Sequence, residues 1–357
     1  DLRNCSAARL IADLFAYAPA NIQAFVYDTC PQNLSDDAVF QTLYHYMVSE
    51  REARWYDGSK DPQPALAQRI HHDSIDILID LAGHTSLSNL RVMAHQPAPI
   101  QLSGLTFNGG LGLGDRCLRA TDAVCTPTDE FYPHDLPLVL PVWISHAEAY
   151  SVPLSPAKET APNNSTRFRL GCAHHPGRLS EACLNTWGKL FATLPQNAEL
   201  HLKHPCYADP VSRNRIQHQL LKSGLRSEQL VFLEGSDYPH YLQFYDDLDL
   251  ALDPFPYHGG LVSCDALARG VPFVTLSQNM CGGNSLLQQV SLPEGIAHSP
   301  ETYVNQAVAL LQNRSFRHTL RHELPKRFAQ SRAGQPQRWV QDIFNALERW
   351  VSVERDV

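Results

Sequence analysis

Basic residues are in short supply in this chain, and several other absences narrow its possible roles. Lys and Arg total 29 against 37 Asp and Glu, a formal net charge of −8 with His neutral. The dense cationic surface of a general nucleic-acid binder is therefore missing. The nine cysteines are odd in number, scattered, and never spaced as C-x-x-C, which argues against a disulfide scaffold or a zinc ribbon and for a reducing cytoplasm. In that setting the N-X-S/T triplets at Asn163 and Asn164 carry little meaning. No apolar run approaches the ~18 residues of a membrane span, and no secretory leader stands at the start, so no membrane partner is expected. The pairs His71-His72 and His174-His175, and the spacing His201 to His204, invite a metal reading. Adjacent side chains rarely converge on one ion and no Cys or carboxylate completes a set, so no metal is expected either. G-x-S-x-G, Walker A and G-x-G-x-x-G are all absent.

What is present is a globular α/β pattern. The 357 residues, 43% of them hydrophobic, are enough for about two domains at roughly 100–200 residues each. In the first half, helical spacing over 7–16 precedes a strand at 22–27, a helix at 35–52 opened by Ser35-Asp36-Asp37, and a helix at 64–71. The run IDILIDL at 75–81 is a strand ending at Gly83-His84-Thr85. A helix at 87–94, a strand at 100–105 and the glycine-rich loop FNGGLGLGD at 107–115 follow. Residues 151–166, SVPLSPAKETAPNNST, have no periodicity and read as a linker. Strand and helix then alternate again, with strands at 168–172, 199–203 and 230–233 and helices at 180–194, 210–223 and 240–246. The pattern ends in helices at 301–312 and from 315 onward, and an amphipathic closing helix at 336–353. The expected architecture is an N-terminal Rossmann-like domain over 1–150, the linker, a second such domain over 167–335, and the closing helix over 336–357.

The most informative stretch is DLDLALDPFPYHGGLVSCDALARGVPFVTL at 247–276. Leu248 to Leu252 suits a strand buried on both faces. Pro254 and Pro256 stop regular structure, and Gly259-Gly260 permits a sharp turn. A helix over 262–269 ends at Gly270 in a left-handed cap, and 271–276 is a second strand. The start of a helix over such a turn attracts an anionic diphosphate. On this unit alone Asp265 reads equally as an acceptor for ribose hydroxyls or as an acid complementing the helix N-terminus. Arg178, in the loop AHHPGR after the strand at 168–172, has the donor fork that matches phosphate oxygens, or is simply solvated. His84, in the GHT loop, is a candidate acid/base or a donor to a sugar hydroxyl.

Taken together these segments resemble the catalytic region of O-GlcNAc-transferase-like protein glycosyltransferases, including bacterial forms and plant SPINDLY relatives. The resemblance is carried by IHHDSIDILIDLAGHTSLSNLRVMAHQPAPIQLSGLTFNGG at 70–110, by the 247–276 stretch, and by SLPEGIAHSPETYVNQAVALL at 291–311. The opening DLRNCSAARL is similar to the family's D-F-R-x-H-S segment, which normally follows a first strand, so the chain is expected to lack that strand and to start within a longer protein. Full members commonly carry tetratricopeptide repeats upstream, and none are present in this sequence.

The resemblance implies a GT-B fold, two Rossmann-like domains facing a central cleft, with no prosthetic group. It implies inverting, metal-independent transfer from a UDP-sugar, by default UDP-GlcNAc, to Ser or Thr of a protein acceptor. By position, Asp265 matches the ribose acid, and Pro256 with Gly259, Gly260, Leu261 and Val262 matches the segment that receives the diphosphate. Arg178 stands where the family usually has Lys, and His175 where it usually has Gln. Cys5 replaces the histidine of D-F-R-x-H, and Gly260-Leu261-Val262-Ser263 replaces H-T-T-G. Cys281 stands near a missing Arg, and Phe107-Asn108-Gly109-Gly110 replaces Y-P-G-T. These departures keep two other readings open: Asn-linked glucosylation of the bacterial adhesin or flagellin type, and a catalytically degenerate binding module.

Overall fold

A computed structural model describes residues 6–29, 38–84, 88–105, 109–125, 135–147, 167–278 and 282–355. Cys5, Phe107-Asn108, residues 151–166 and Cys281 lie outside these. By internal contacts the chain divides into one unit made of 1–145 with 336–357 and another made of 146–335.

The first unit begins with helix α1 (Ser6–Tyr17) and strand β1 (Phe25–Asp28). The single helix expected over 35–52 is instead α2 (Ala38–His45) followed by a wider π-type turn at Tyr46–Glu50. The extra residue per turn brings Met47 into the cluster of Ile11 and Ala53, where it is sealed from solvent. Strand β2 (Arg54–Asp57) pairs in parallel with β1. Helix α3 (Gln63–His72) has Pro64 in its first turn, where no N–H is missed, and packs Leu66, Ala67 and Ile70 into one core face. Strands β3 (Ile77–Ile79), β4 (Ile100–Ser103), β5 (Leu118–Asp122) and β6 (Leu136–Leu140) form a parallel sheet in that order, with α4 (Leu90–Ala94) between β3 and β4. Pro137 sits in β6 at the sheet edge, where a missing N–H costs no ladder bond.

The second unit runs β7 (Arg169–Cys172), α5 (Glu181–Thr193), β8 (Glu199–Lys203), α6 (Pro210–Lys222), β9 (Leu230–Leu233), α7 (Tyr238–Asp246), β10 (Leu250–Leu252), α8 (Leu261–Ala268), β11 (Phe273–Leu276), α9 (Gly282–Gln289), β12 (Ile296–Ala297), α10 (Pro300–Gln312) and α11 (Arg314–Gln330). The helix starts follow local chemistry: Ser180, Asp209, Asp237 and Ser299 each accept a first-turn N–H. Gly270 closes α8 at φ +73°. All sheet pairings are parallel, in the order β12-β11-β10-β7-β8-β9. Read from β7, that is the 3-2-1-4-5-6 order of a dinucleotide-type Rossmann sheet. Leu250 and Leu252, sealed in its centre, contribute about 1.5–3 kcal/mol each by burial.

Helix α12 (Pro336–Arg355) returns the chain to the first unit, where it packs on α1 and β6, and Trp339 Nε1 donates to the Val142 carbonyl at 3.1 Å. The two crossing points are tied together within the second unit by the His146 N–H, which donates to the Ala333 carbonyl at 2.8 Å.

Candidate functional site

In an open parallel sheet, ligands collect beyond the carboxyl ends of the strands where the strand order reverses. In the second unit that point lies between β7 and β10, and the loops leaving these two strands carry most of the residues singled out above. After β7, a short turn at Pro176–Arg178 is capped by His175, whose Nδ1 accepts the Gly177 N–H at 2.9 Å. The Arg178 guanidinium donates to the His258 carbonyl and lies 3.9 Å over the Tyr257 ring. The first loop is thereby laid against the second. His175 is exposed at this rim, its Nε2 3.6 Å from Cys206 Sγ and its ring 4.9 Å from that of His204. Burial and the Arg178 charge lower its pKa, so it works as a neutral, polar side chain.

After β10, Phe255-Pro256 is a cis peptide and Pro256 is exposed. Neither Gly259 nor Gly260 has a left-handed φ. Gly259 is required by close packing instead. A Cβ there would stand 2.1 Å from Ser263 Oγ, 2.3 Å from His174 Cε1 and 2.8 Å from Asp253 Oδ1. Gly260 is the residue ahead of α8, and no side chain caps that helix start, which leaves its positive end open to an anion. Leu261 and Val262 form the first turn half-buried, and the Val262 carbonyl accepts from the Tyr245 hydroxyl at 3.1 Å.

Beneath this rim Asp253 organises a network that the sequence reading missed. Its Oδ1 accepts the Gly259 N–H at 2.8 Å and its Oδ2 the Thr275 hydroxyl at 2.8 Å. The Thr275 proton is thus committed, so the His258 Nδ1, 2.8 Å from Thr275 Oγ1, must carry the donating hydrogen. Burial alone would raise the Asp253 carboxyl, but the His258 donor, the charges of His258 and His174, and the Thr275 hydroxyl outweigh it and hold it below the usual range. Burial pushes His174, 3.4 Å from Asp253, down to about 4 against that carboxylate's pull. The one usable signal was a His directly before a glycine pair, shortly after a strand-ending Asp.

Asp265 sits on α8 and is 3% exposed. Its Oδ1 accepts the Tyr238 hydroxyl at 2.7 Å and lies 3.2 Å from His146 Nε2. Its carboxylate is therefore held by side chains and is not positioned to cap the helix start. Nothing in the sequence singles out Tyr238 or His146 as its partners.

His84 lies in the first unit, where its exposed ring reaches the Gly110 carbonyl at 2.9 Å. A carbonyl only accepts, so Nε2 carries the hydrogen. The GHT loop and the glycine-rich loop are joined by this bond. Asp80 anchors the GHT turn by accepting the Gly83 N–H at 2.8 Å, and burial raises its pKa.

No family model matches the chain. It is 30% identical over 274 residues to the rice (Oryza sativa subsp. japonica) protein named probable UDP-N-acetylglucosamine–peptide N-acetylglucosaminyltransferase SPINDLY, a match covering 74% of this chain and 29% of that relative. The chain thus spans less than a third of the length of this relative. Among solved structures, a mutant of Thermobaculum terrenum O-GlcNAc transferase superposes with a TM-score of 0.81 at 24% identity, covering 98% of this chain and 65% of that one. This chain is O-GlcNAc-transferase-like. Its fold is of the GT-B type, and Anabaena HepE in complex with UDP shares it at a TM-score of 0.61 and 13% identity, covering 98% of both chains. Among the described residues of the O-GlcNAc-transferase-like chain, no three His, Cys, Asp or Glu side chains are grouped to hold a metal. Nor is any helix among them long and apolar enough to cross a membrane.

Proposed function

We propose that this chain is the donor-binding and transfer region of a UDP-sugar-dependent protein glycosyltransferase, acting by inversion and without metal. The default donor is UDP-GlcNAc and the acceptor a Ser or Thr hydroxyl of a protein, with tetratricopeptide repeats upstream in the full-length protein. The observation that carries this reading is the convergence of Arg178, the 256–262 segment and Asp265 around the β7/β10 reversal of strand order. In an inverting transfer the acceptor oxygen bonds to the sugar's anomeric carbon as the bond to UDP breaks, and negative charge grows on the departing diphosphate. Arg178 and the uncapped start of α8 are the groups proposed to meet that charge, electrostatic stabilisation being the larger share of such catalysis. Asp265 is proposed to accept from the ribose. His175, Pro256, Gly259, Gly260, Leu261 and Val262 would line the nucleotide, and His84, with its Nε2 hydrogen used on Gly110, is the catalytic candidate of the first unit.

Calorimetry with UDP tests the donor half: no heat of binding at millimolar UDP removes the enzyme reading. Asp265→Ala removes a charge-assisted hydrogen bond worth roughly 1.5–3 kcal/mol, so UDP affinity falls by about 10–150-fold. Unchanged affinity would return Asp265 to a structural role. Intact-mass analysis of acceptor proteins incubated with UDP-GlcNAc, UDP-glucose or GDP-fucose then identifies the transfer. The apolar pair Leu261-Val262 in the first turn of α8 keeps two other readings in play. Transfer of glucose to Asn in that assay would support the adhesin-type reading, and UDP binding without any transfer the degenerate module.

A further inference from the structure

One peptide group joins the proposed diphosphate site to the buried network beneath it. The peptide between His258 and Gly259 gives its carbonyl to the Arg178 guanidinium and its N–H to Asp253 Oδ1, the latter at 2.8 Å. This peptide is trans, so its N–H and C=O leave opposite edges of one plane, and Arg178 and Asp253 face each other across it. The peptide dipole is aligned with both charges, its negative end on the guanidinium and its positive end on the carboxylate. Asp253 has little room to move. The Thr275 hydroxyl donates to its Oδ2 at 2.8 Å, and the Tyr303 hydroxyl donates to its backbone carbonyl at 3.1 Å. A Cβ on Gly259 would stand 2.8 Å from Oδ1, and one on Gly283 would stand 2.4 Å from Oδ2. His258 Nδ1 bonds Thr275 Oγ1 at 2.8 Å, so the residue whose carbonyl receives Arg178 is also held by its ring.

Hydrogen bonds in series polarise one another where the surroundings are poorly polarisable, and Asp253 is 1% exposed. Its carboxylate therefore strengthens the His258 carbonyl as an acceptor and fixes where that carbonyl points. We infer that Asp253 is a positioning residue for the diphosphate: through the 258–259 peptide it sets the place and orientation of the Arg178 guanidinium, without itself touching the donor. The inference rests on the nucleotide reading above, and within it on Arg178 meeting phosphate. An Asp253 that merely held the rim together would weaken every ligand alike. A positioning Asp253 acts only on what Arg178 binds.

The test is a double-mutant cycle, read by titration calorimetry on the whole protein with UDP and uridine. Asp253→Asn keeps an oxygen for the Gly259 N–H and removes the charge. Alone it weakens UDP binding about 5–50-fold, within the range of coupling between members of one hydrogen-bond network, and uridine binding by less than about threefold. Added to Arg178→Ala, the same change alters UDP affinity by less than about threefold. An equal UDP loss with and without Arg178, a loss shared by uridine, or no UDP loss overturns the inference. Where Asp253→Asn does not fold, Thr275→Val and Thr275→Ser carry the same cycle. Val removes the hydroxyl that pins Oδ2 and produces the Arg178-dependent loss, whereas Ser keeps that hydroxyl and stays within about threefold of wild type. No loss in Thr275→Val, or an equal loss in the Arg178→Ala background, overturns the inference in turn. If UDP binds but Arg178→Ala binds it as tightly as wild type, the inference falls while the nucleotide reading stands. If wild-type protein fails to bind UDP at all, both fall.

Discussion

The sharpest perturbation of the proposed diphosphate site is Arg178→Ala. The guanidinium uses one N–H on the His258 carbonyl and its face on the Tyr257 ring at 3.9 Å. Of the five N–H donors an Arg carries, the others have no partner among the described residues and are the ones proposed to meet phosphate oxygens. Each charge-assisted bond to a phosphate is worth about 1.5–3 kcal/mol, and a half-buried group is partly screened. Removing the side chain should therefore cost UDP binding on the order of 2–3 kcal/mol, about 30–150-fold in Kd. The ring contact, roughly 0.5–1 kcal/mol at a site this exposed, is a structural loss and belongs in the melting temperature. Titration calorimetry with UDP, UMP and uridine separates the two effects. The diphosphate should lose most, UMP less, and uridine no more than about threefold, because it has no phosphate to lose. Arg178→Lys should recover part of the loss for UDP, since charge returns without the fork. An equal loss for all three ligands would refute the reasoning and leave Arg178 as a brace between two loops.

Two further expectations concern the framework beneath the site. Gly259→Ala places a methyl group 2.1–2.8 Å from Ser263, His174 and Asp253, so the turn must shift. Thermal or urea unfolding should show about 1–3 kcal/mol of destabilisation, the usual cost of overpacking, and wild-type stability would rule out the packing argument. His174 is pushed from the ordinary 6.5 to about 4 by burial, so on acidification the unfolded chain takes up its proton first. Its contribution is intact above about pH 6.5 and is lost as pH falls toward 4, on the order of 3 kcal/mol in all. Urea midpoints taken between pH 7 and 4.5 should fall with acid, and fall less steeply in His174→Asn. An identical slope in that variant would deny His174 its share.

The parts of this molecule legible in the sequence are those whose chemistry is local. Buried parallel strands such as Leu250–Leu252 and Glu199–Lys203 are apolar or alternate cleanly, and Ser180, Asp237 and Ser299 announce helix starts. Gly270 marks a left-handed end because few other residues tolerate φ +73°. The strand Leu118–Asp122 escaped notice because Arg119 and Asp122 are buried within it, so no apolar run betrays it. The partners of Asp265 were hidden for another reason. His146 and Tyr238 are 92 residues apart, and which distant side chain completes a hydrogen-bonded triangle is decided by tertiary packing. The family motifs could point to Asp265 as an acid of interest but not to the side chains that hold it.

The bond between the His146 N–H and the Ala333 carbonyl has a consequence for how this chain comes to be folded. Residues 146–335 are inserted into the first unit, whose last helix, Pro336–Arg355, must find Ser6–Tyr17 and Leu136–Leu140 from far along the chain. Closing so long a flexible loop is entropically expensive and slow. Once the inserted unit has folded, its entry and exit segments are joined at His146 and Ala333, and the loop left to close is effectively a short one. Assembly in that order makes the inserted unit a template for its host, and a destabilised insert should leave the final helix undocked and the host incomplete.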